Sequence, residues 1–307
     1  MAASSLLITA ANLPNLLIPG VRGIMADYPY YMNEWKQLYT ILPSVKHTEV
    51  DIETVPLNAA GRFAEGSDIP LGSMKQLYTT YSEMFQYGVG FIMTAIAIED
   101  NLYPDQFPKG MLGIKENLNI LSEYEGIALF DNAFTKADPE FTLADGQPLC
   151  SLVHPTTGGT VSNTLTPTQL QETSAQDLIK TIQYFKDSAY LPRKVIPRTY
   201  LVGIENQFVA EILTGSQYSP FDTTNSVNPL TYGEYVQGGF ILSHYMANPS
   251  NFFMMTNYRE GIVHYLRKSL EIQMTTDQAN RNLAVYGNQR YRNRIINFRC
   301  AAGVQGF

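Results

Sequence analysis

The sequence predicts an α+β protein with mainly antiparallel sheets, and three observations carry that prediction. Short strand-like runs and helical spacings mingle along the chain instead of alternating strictly. From Met111 to about residue 134, apolar residues recur at intervals of three and four. Before that stretch, a strand-like run, a glycine-rich turn and a second strand-like run follow one another between Lys46 and Ile98.

Residues 1–46 mix Pro, Gly, Asn and aromatics and read as an extended arm, with a short helix-like stretch near Tyr31 to Leu42. Trp35, beside Tyr30, Tyr31 and Tyr39, reads as a packing anchor. Lys46 to Leu57 is strand-like, and Gly61, Gly66, Pro70 and Gly72 then punctuate a hairpin tip. The return limb, Met74 to Ile98, is proline-free and rich in Tyr, Thr, Phe, Val and Ile, so much of it is expected to stay extended. Extended over its whole length it would reach about 80 Å, beyond the core of one small domain. Part of the hairpin is therefore expected to project, and a projecting two-stranded ribbon, marginal in water, needs a partner surface.

The helix carries Met111, Ile114, Leu118, Leu121, Tyr124 and Ala128 on one side, with Pro104 and Pro108 placed just before its first turn. At some 25 residues it would span about 37 Å. Asp138 to Asn163, with Pro139, Pro148, Pro155 and Gly158-Gly159, reads as loop. Thr166-Pro167-Thr168-Gln169 offers an N-cap, a proline at N1 and a glutamine at N3 for a second helix bearing Leu170, Leu178, Ile179, Ile182 and Phe185. A strand at Tyr200–Val202 leads into a helix with Phe208, Ala210, Ile212 and Leu213 that stops near Gly215. Further strands are expected at Gly239 to His244, Phe252 to Thr256, Gly261 to Leu266, Leu270 to Met274 and Gln289 to Cys300.

Composition narrows the class. A chain of 307 residues that is 45% hydrophobic can bury one large core or two modest ones. Charged residues make up 16%, against roughly 25% in typical soluble domains, while Tyr and Phe number 20 and 15. Interface cores show the same depletion of charge and enrichment of aromatics, so the balance fits a subunit with many neighbours as well as a polar, uncharged monomer. A net charge of -7 repels nucleic acid and anionic membranes, which argues against a sequence-reading DNA binder. Cys150 and Cys300 form neither a disulfide framework nor a metal pair and read as free thiols. The first twenty residues lack a basic n-region, so no secretory leader is expected. No uncharged apolar run reaches the ~18 residues that span a bilayer.

No catalytic device has its usual spacing: there is no GxSxG, HExxH, Walker A or EF-hand pattern. Gly88-Val89-Gly90 lacks the third glycine of a dinucleotide fingerprint, having Met93 there, and reads as strand. His47, His154, His244 and His264 are scattered without ligands at metal spacing. Asp138, Glu140 and Asp145 lie in a Pro-rich loop and read as solvated surface or a loose cation site. Neither catalytic residues nor cofactor or metal ligands are assigned, and the chain is not read as an enzyme. A hydrolase built around His154 is the alternative from another class, predicting a compact monomer with a pocket there. Arg290, Arg292 and Arg294 alternate, so on a strand they share a face opposite Tyr291, Asn293 and Ile295. Residues 251–307 carry eight Lys or Arg against three Asp or Glu. That face either bridges to a neighbour or to phosphates, or forms internal ion pairs and meets solvent.

Two segments carry a family resemblance. RFAEGSDIPLGSMKQLYTTYSEMFQYGVGFIMTAIAIEDNL resembles the E-loop of Hong Kong 97-like major capsid proteins of tailed phages as it runs back into the subunit. DGQPLCSLVHPTTGGTVSN, followed by PRTYLVGIENQFVAEIL, is similar to the Mu-type major head subunits, with Gly203 where those carry a second Val after the Leu-Val pair. The resemblance implies a Hong Kong 97-like fold: an N-terminal arm (1–46), a long E-loop hairpin (47–92), a peripheral domain with a long spine helix (93–145), an axial domain (146–258), and peripheral-domain strands (259–307) whose last strand returns to the axial domain. It implies a structural protein that assembles with itself, as hexamers and pentamers, into a shell around double-stranded DNA held without sequence preference. A portal at one vertex, separate scaffolding or decoration proteins, residence in the virion and assembly in the host cytoplasm come with it, and no membrane. An encapsulin-type nanocompartment shares the fold and is the alternative. The intersubunit interface is expected at Trp35, Arg62, Phe63, Lys75, Tyr78, Tyr81, Phe85, Arg290, Arg292 and Arg294. Some relatives add a Lys–Asn cross-link; Lys75 lies in the E-loop, but no catalytic carboxylate can be matched to it.

Overall fold

The computed structural model describes residues 33–57, 61–63, 65–66, 68–69, 71–72, 74–96, 103–136, 138–219, 226–232, 235–277 and 281–307. Residues 1–32 of the expected arm, Pro70 at the hairpin tip and residues 97–102 lie outside them. Helices and several mainly antiparallel sheets are interleaved, an α+β arrangement. The chain divides into two compact units.

One unit comprises Asn33 and the described residues of 84–123 and 266–292. Strand β4 (Phe85–Met93) pairs antiparallel with β11 (Leu283–Ile295), from Phe85 opposite Tyr291 to Met93 opposite Leu283, without a register shift. Strand β10 (Ile262–Thr276) begins in the other unit and runs into this one, and with β1 (Thr40–Pro43), which belongs to that other unit, the strand order is β1-β10-β11-β4. Helix α1 (Tyr103–Asp131) packs Met111, Ile114 and Leu118 against Met93, Leu283 and Val285. The approach is close at Gly287, where a Cβ would lie 2.5 Å from Ile114 Cγ2. The Gln289 amide donates to the Leu118 carbonyl and the Ser122 hydroxyl, each at 3.1 Å, so this buried polar side chain is satisfied.

The other unit, residues 34–83, 124–265 and 293–307, holds the larger core. Its sheet has the order β12-β9-β7-β8, formed by β7 (Pro197–Gly203), β8 (Phe240–Ser243), β9 (Phe252–Thr256) and β12 (Ala301–Val304). Strand β7 runs parallel to β8 and antiparallel to β9. Tyr200, Leu201, Phe252 and Phe253 are fully buried, and Phe253 meets Phe130 edge-on at 5.3 Å. Helix α2 (Glu172–Gln183) buries Ala175, Leu178, Ile179 and Ile182, and α3 (Gln207–Gly215) buries Ala210 and Leu213. Gly203 ends β7 where a Cβ would fall 2.2 Å from the Pro249 carbonyl oxygen, so a valine there would clash with backbone. A short α4 (Pro229–Tyr232) follows α3.

Several boundaries differ from expectation for physical reasons. Helix α1 starts at Tyr103, so Pro104 and Pro108 fall inside it. Pro104 lies in the first turn, whose N–H groups have no intrahelical partner, so its missing donor is harmless there, whereas Pro108 lies past that turn and forgoes one intrahelical bond. Helix α2 starts at Glu172 and not after Thr166, because Thr168 N–H is taken by the Gln305 carbonyl and the true cap is Ser174 Oγ accepting from Gln171 N–H at 2.8 Å. The return limb of the hairpin is two strands, β3 (Lys75–Glu83) and β4, that change partner at the buried Met84. The two strands expected between Gly261 and Met274 are one, β10. The loop at 138–163 contains a small hairpin of β5 (His154–Thr156) and β6 (Gly159–Val161).

Candidate assembly surface

Strand β2 (Thr48–Val55) pairs with β3 as a two-stranded ribbon, Val50 opposite Tyr81 and Ile52 opposite Thr79, with a bulge between Ile52 and Thr54. Alternation along a strand gives the ribbon two faces. The inner one is anchored by acids. Asp51 accepts from the Tyr265 hydroxyl at 2.7 Å. Glu53 accepts from the Ser188 hydroxyl, from Arg299 Nη1 at 3.2 Å and from Asn297 Nδ2 at 3.3 Å, and Arg299 Nε donates to the Lys186 carbonyl at 2.7 Å. Burial raises the Asp51 carboxyl above its ordinary range although the Tyr265 hydrogen bond opposes this, and burial followed by that same bond pushes the Tyr265 hydroxyl up. A polar cleft of about 570 Å³ opens beside β2, lined by Asp51, Glu53, Asp187, Arg193, Tyr258 and Arg299 among others.

The outer face is apolar and exposed: Val50 at 48%, Ile52 at 53% and Tyr81 at 67%. Beyond it, at the turn, Phe63, Ile69 and Met74 are exposed and Leu71 reaches 96%. Clusters of exposed apolar side chains mark interaction sites in soluble proteins.

Of the interface residues read from the sequence, Arg62, Phe63, Lys75, Tyr78 and Tyr81 share this ribbon and its turn. Tyr78 is half-buried, its hydroxyl raised by burial first and by Asp145 and Glu53 next. Trp35 is only 4% exposed, its ring 4.4 Å from that of His264 and 5.8 Å from Tyr39. Arg294 donates to the carbonyls of Glu140 and Thr142. Phe85, Arg290 and Arg292 belong to the other unit, where the Arg292 guanidinium lies 4.3 Å over the Phe85 ring and Arg290 is half-buried opposite Gln86. The ten residues are thus not one patch. Val50, Ile52 and Leu71 were missed; the signal was the alternation Val50-Asp51-Ile52-Glu53, which is legible only once the acids are known to face inward.

His154 is fully buried and stacks flat on Phe298 at 4.0 Å. Its Nδ1 lies 2.7 Å from Asp145 Oδ2 and its Nε2 3.1 Å from Asn163 Oδ1, while the Asn163 amide donates to the Leu149 and Ala301 carbonyls. Both ring nitrogens are therefore engaged, with an amide where a hydrolase would present its nucleophile. Among the described residues no cluster of His, Cys, Asp and Glu could hold a metal ion, and no helix is long and apolar enough to cross a membrane.

No protein-family model and no curated protein matches the sequence. Solved structures do match. The capsid of cyanophage P-SCSP1u aligns with a TM-score of 0.55 at 10% identity, over 92% of this chain and 91% of that one. A chain from Mycobacterium phage Patience aligns with a TM-score of 0.55 at 11% identity, over 97% and 88%, and a virus-like particle from Pyrococcus furiosus with 0.51 at 9%, over 96% and 98%. The chain has a capsid fold. Its structural neighbours include phage major capsid proteins with the Hong Kong 97-like architecture. The capsid fold spans both units, since each alignment covers nine-tenths of this chain or more.

Proposed function

We propose that this chain is the structural major capsid protein of a tailed phage, the repeating subunit of an icosahedral shell around double-stranded DNA. The observation that carries the reading is a fold shared, nearly end to end, with capsid chains whose sequences have diverged to about one residue in ten. In this reading the ribbon is the E-loop of residues 47–92 and clamps a second copy, burying Val50, Ile52, Tyr81 and Leu71, which one subunit leaves exposed. Residues 1–46 are its arm, 93–145 and 259–307 the peripheral domain and 146–258 the axial domain, with β12 crossing to the latter. Each contact is of ordinary size, and repetition around hexamers and pentamers makes the shell stable. The net charge of -7 suits a container whose duplex must slide in and out. Relationship to Mu-type heads, a portal at one vertex, separate scaffolding or decoration proteins and assembly in the host cytoplasm complete the proposal.

Deleting residues 61–72 is expected to abolish particles in electron micrographs while leaving a soluble, folded subunit. Normal shells from that deletion would remove the clamp. A protein nanocompartment of encapsulin type is the second reading, favoured by the match to a virus-like particle. Nuclease-protected double-stranded DNA in purified particles decides for the phage.

A further inference from the structure

Sheet edges attract other strands unless something guards them, and natural proteins guard them with brevity, charge, proline or a bulge. Most edge strands here are guarded. Strand β1 is four residues long and ends in Pro43, and β8 and β12 are four residues each. Strand β2 carries Glu49, Asp51, Glu53 and a bulge, and β3 is bracketed by Lys75 and Glu83.

Strand β4, FQYGVGFIM, has none of these devices. It is nine residues long, uncharged, proline-free and in unbroken register with β11, and among the described residues no strand lies on its other side. Gln86, Gly88, Val89, Gly90 and Ile92 are exposed. Its sequence is also close to a palindrome about Val89: Gly88 mirrors Gly90, Tyr87 mirrors Phe91, and Phe85 mirrors Met93. In an antiparallel self-pair centred on Val89, each of those pairs falls directly opposite its counterpart, glycine against glycine and aromatic against aromatic. A two-fold contact requires this self-complementarity, because the same patch must serve both partners.

We propose that the unguarded edge of β4 is a two-fold interface, where β4 of a second copy adds antiparallel with Val89 opposite Val89. The occupant is another molecule of this chain, recognised by backbone hydrogen bonds and by aromatic cross-strand pairs. Two four-stranded sheets, each ordered β1-β10-β11-β4, become one continuous sheet. The contact uses neither β2 nor β3 and stands or falls without the shell reading.

Register makes the test specific. In concentrated full-length protein under a mild oxidant, Val89→Cys should give disulfide-linked dimers about tenfold more readily than Gln86→Cys or Ile92→Cys alone, since only the central residue meets itself within disulfide reach. Mixing Gln86→Cys with Ile92→Cys should restore cross-linking, because those positions face each other. The wild-type cysteines are 3% and 1% exposed and supply the background control. Hydrogen exchange on unsubstituted protein reads the same contact without a mutation: amides of Gln86 to Ile92 should slow as concentration rises. Equal cross-linking at all three positions, absence of Val89→Cys dimers, or concentration-independent exchange would each overturn the proposal.

Discussion

Strands β9 and β2 make opposite use of the same alternation. All five residues of β9, Phe252 to Thr256, are buried, and Phe252 to Met255 belong to the larger core. In β2 the acids face inward to Tyr265, Ser188 and Arg299, while Val50 and Ile52 face out. A lone chain in water gains nothing from that inversion: it exposes apolar surface and desolvates carboxylates, which are costly unless paired. The core strand is therefore finished by its own chain, whereas the ribbon leaves Val50 and Ile52 in solvent, the surface that the proposed clamp would cover.

That contrast can be broken or sharpened by substitution. The largest effect should come from Arg299→Ala, which leaves Glu53 at the cleft wall without its guanidinium; losing one partner of a fully buried pair costs about 3–5 kcal/mol, a ceiling here because Glu53 keeps its bonds from Ser188 and Asn297. Thermal unfolding should shift accordingly, with hydrogen exchange in β2 and β3 accelerating most. Retention of wild-type protection in the ribbon would show that the inner face is not its anchor.

Acid is the next lever, acting on the core side. His264 is held at about 4, below the ordinary imidazole value of 6.5, chiefly by burial, with the Asn293 hydrogen bond opposing and Lys36 adding to the shift. Its folded form prefers the neutral ring, so the stabilisation is complete above pH 6.5 and is lost as pH falls from 6.5 toward 4. The loss amounts to roughly 3 kcal/mol at about 1.4 kcal/mol per pH unit. Trp35, the single tryptophan, has its ring tilted against that imidazole at 4.4 Å and should report the event as quenching of its emission. In His264→Asn the quenching step and the stability slope over this window should disappear.

The smallest effect on stability belongs to the ribbon's outer face. Ile52→Ser with Tyr81→Ser should leave the unfolding free energy within about 0.5 kcal/mol, as exposed sites do. Particle formation should nonetheless fail. A large loss of stability would mean that those side chains already have partners in the single chain.

Much of the fold was legible because its determinants are local. The run FFMMT announces a buried strand at its true limits, and Met111, Ile114 and Leu118 announce the face of α1. The start of α2 was not, because Thr166-Pro167-Thr168-Gln169 is a sound cap by itself and only a distant carbonyl, that of Gln305, overrules it. The split between β3 and β4 was hidden for a similar reason: change of partner at Met84 depends on β2 and β11, far apart in sequence. Among the site residues, the ribbon positions followed from the hairpin pattern. The fates of Trp35, Arg292 and Arg294 did not, since period-two reasoning says which side of a strand a residue occupies and not what lies there.

The inner face of the ribbon also has a history in time. Glu53 and Arg299 are 246 residues apart. At ~5–20 residues per second of synthesis, the carboxylate leaves the ribosome some tens of seconds before its guanidinium exists. Nascent chains on one message thus carry ribbons not yet fastened to their own bodies, and the clasp closes only once Arg299 has been made.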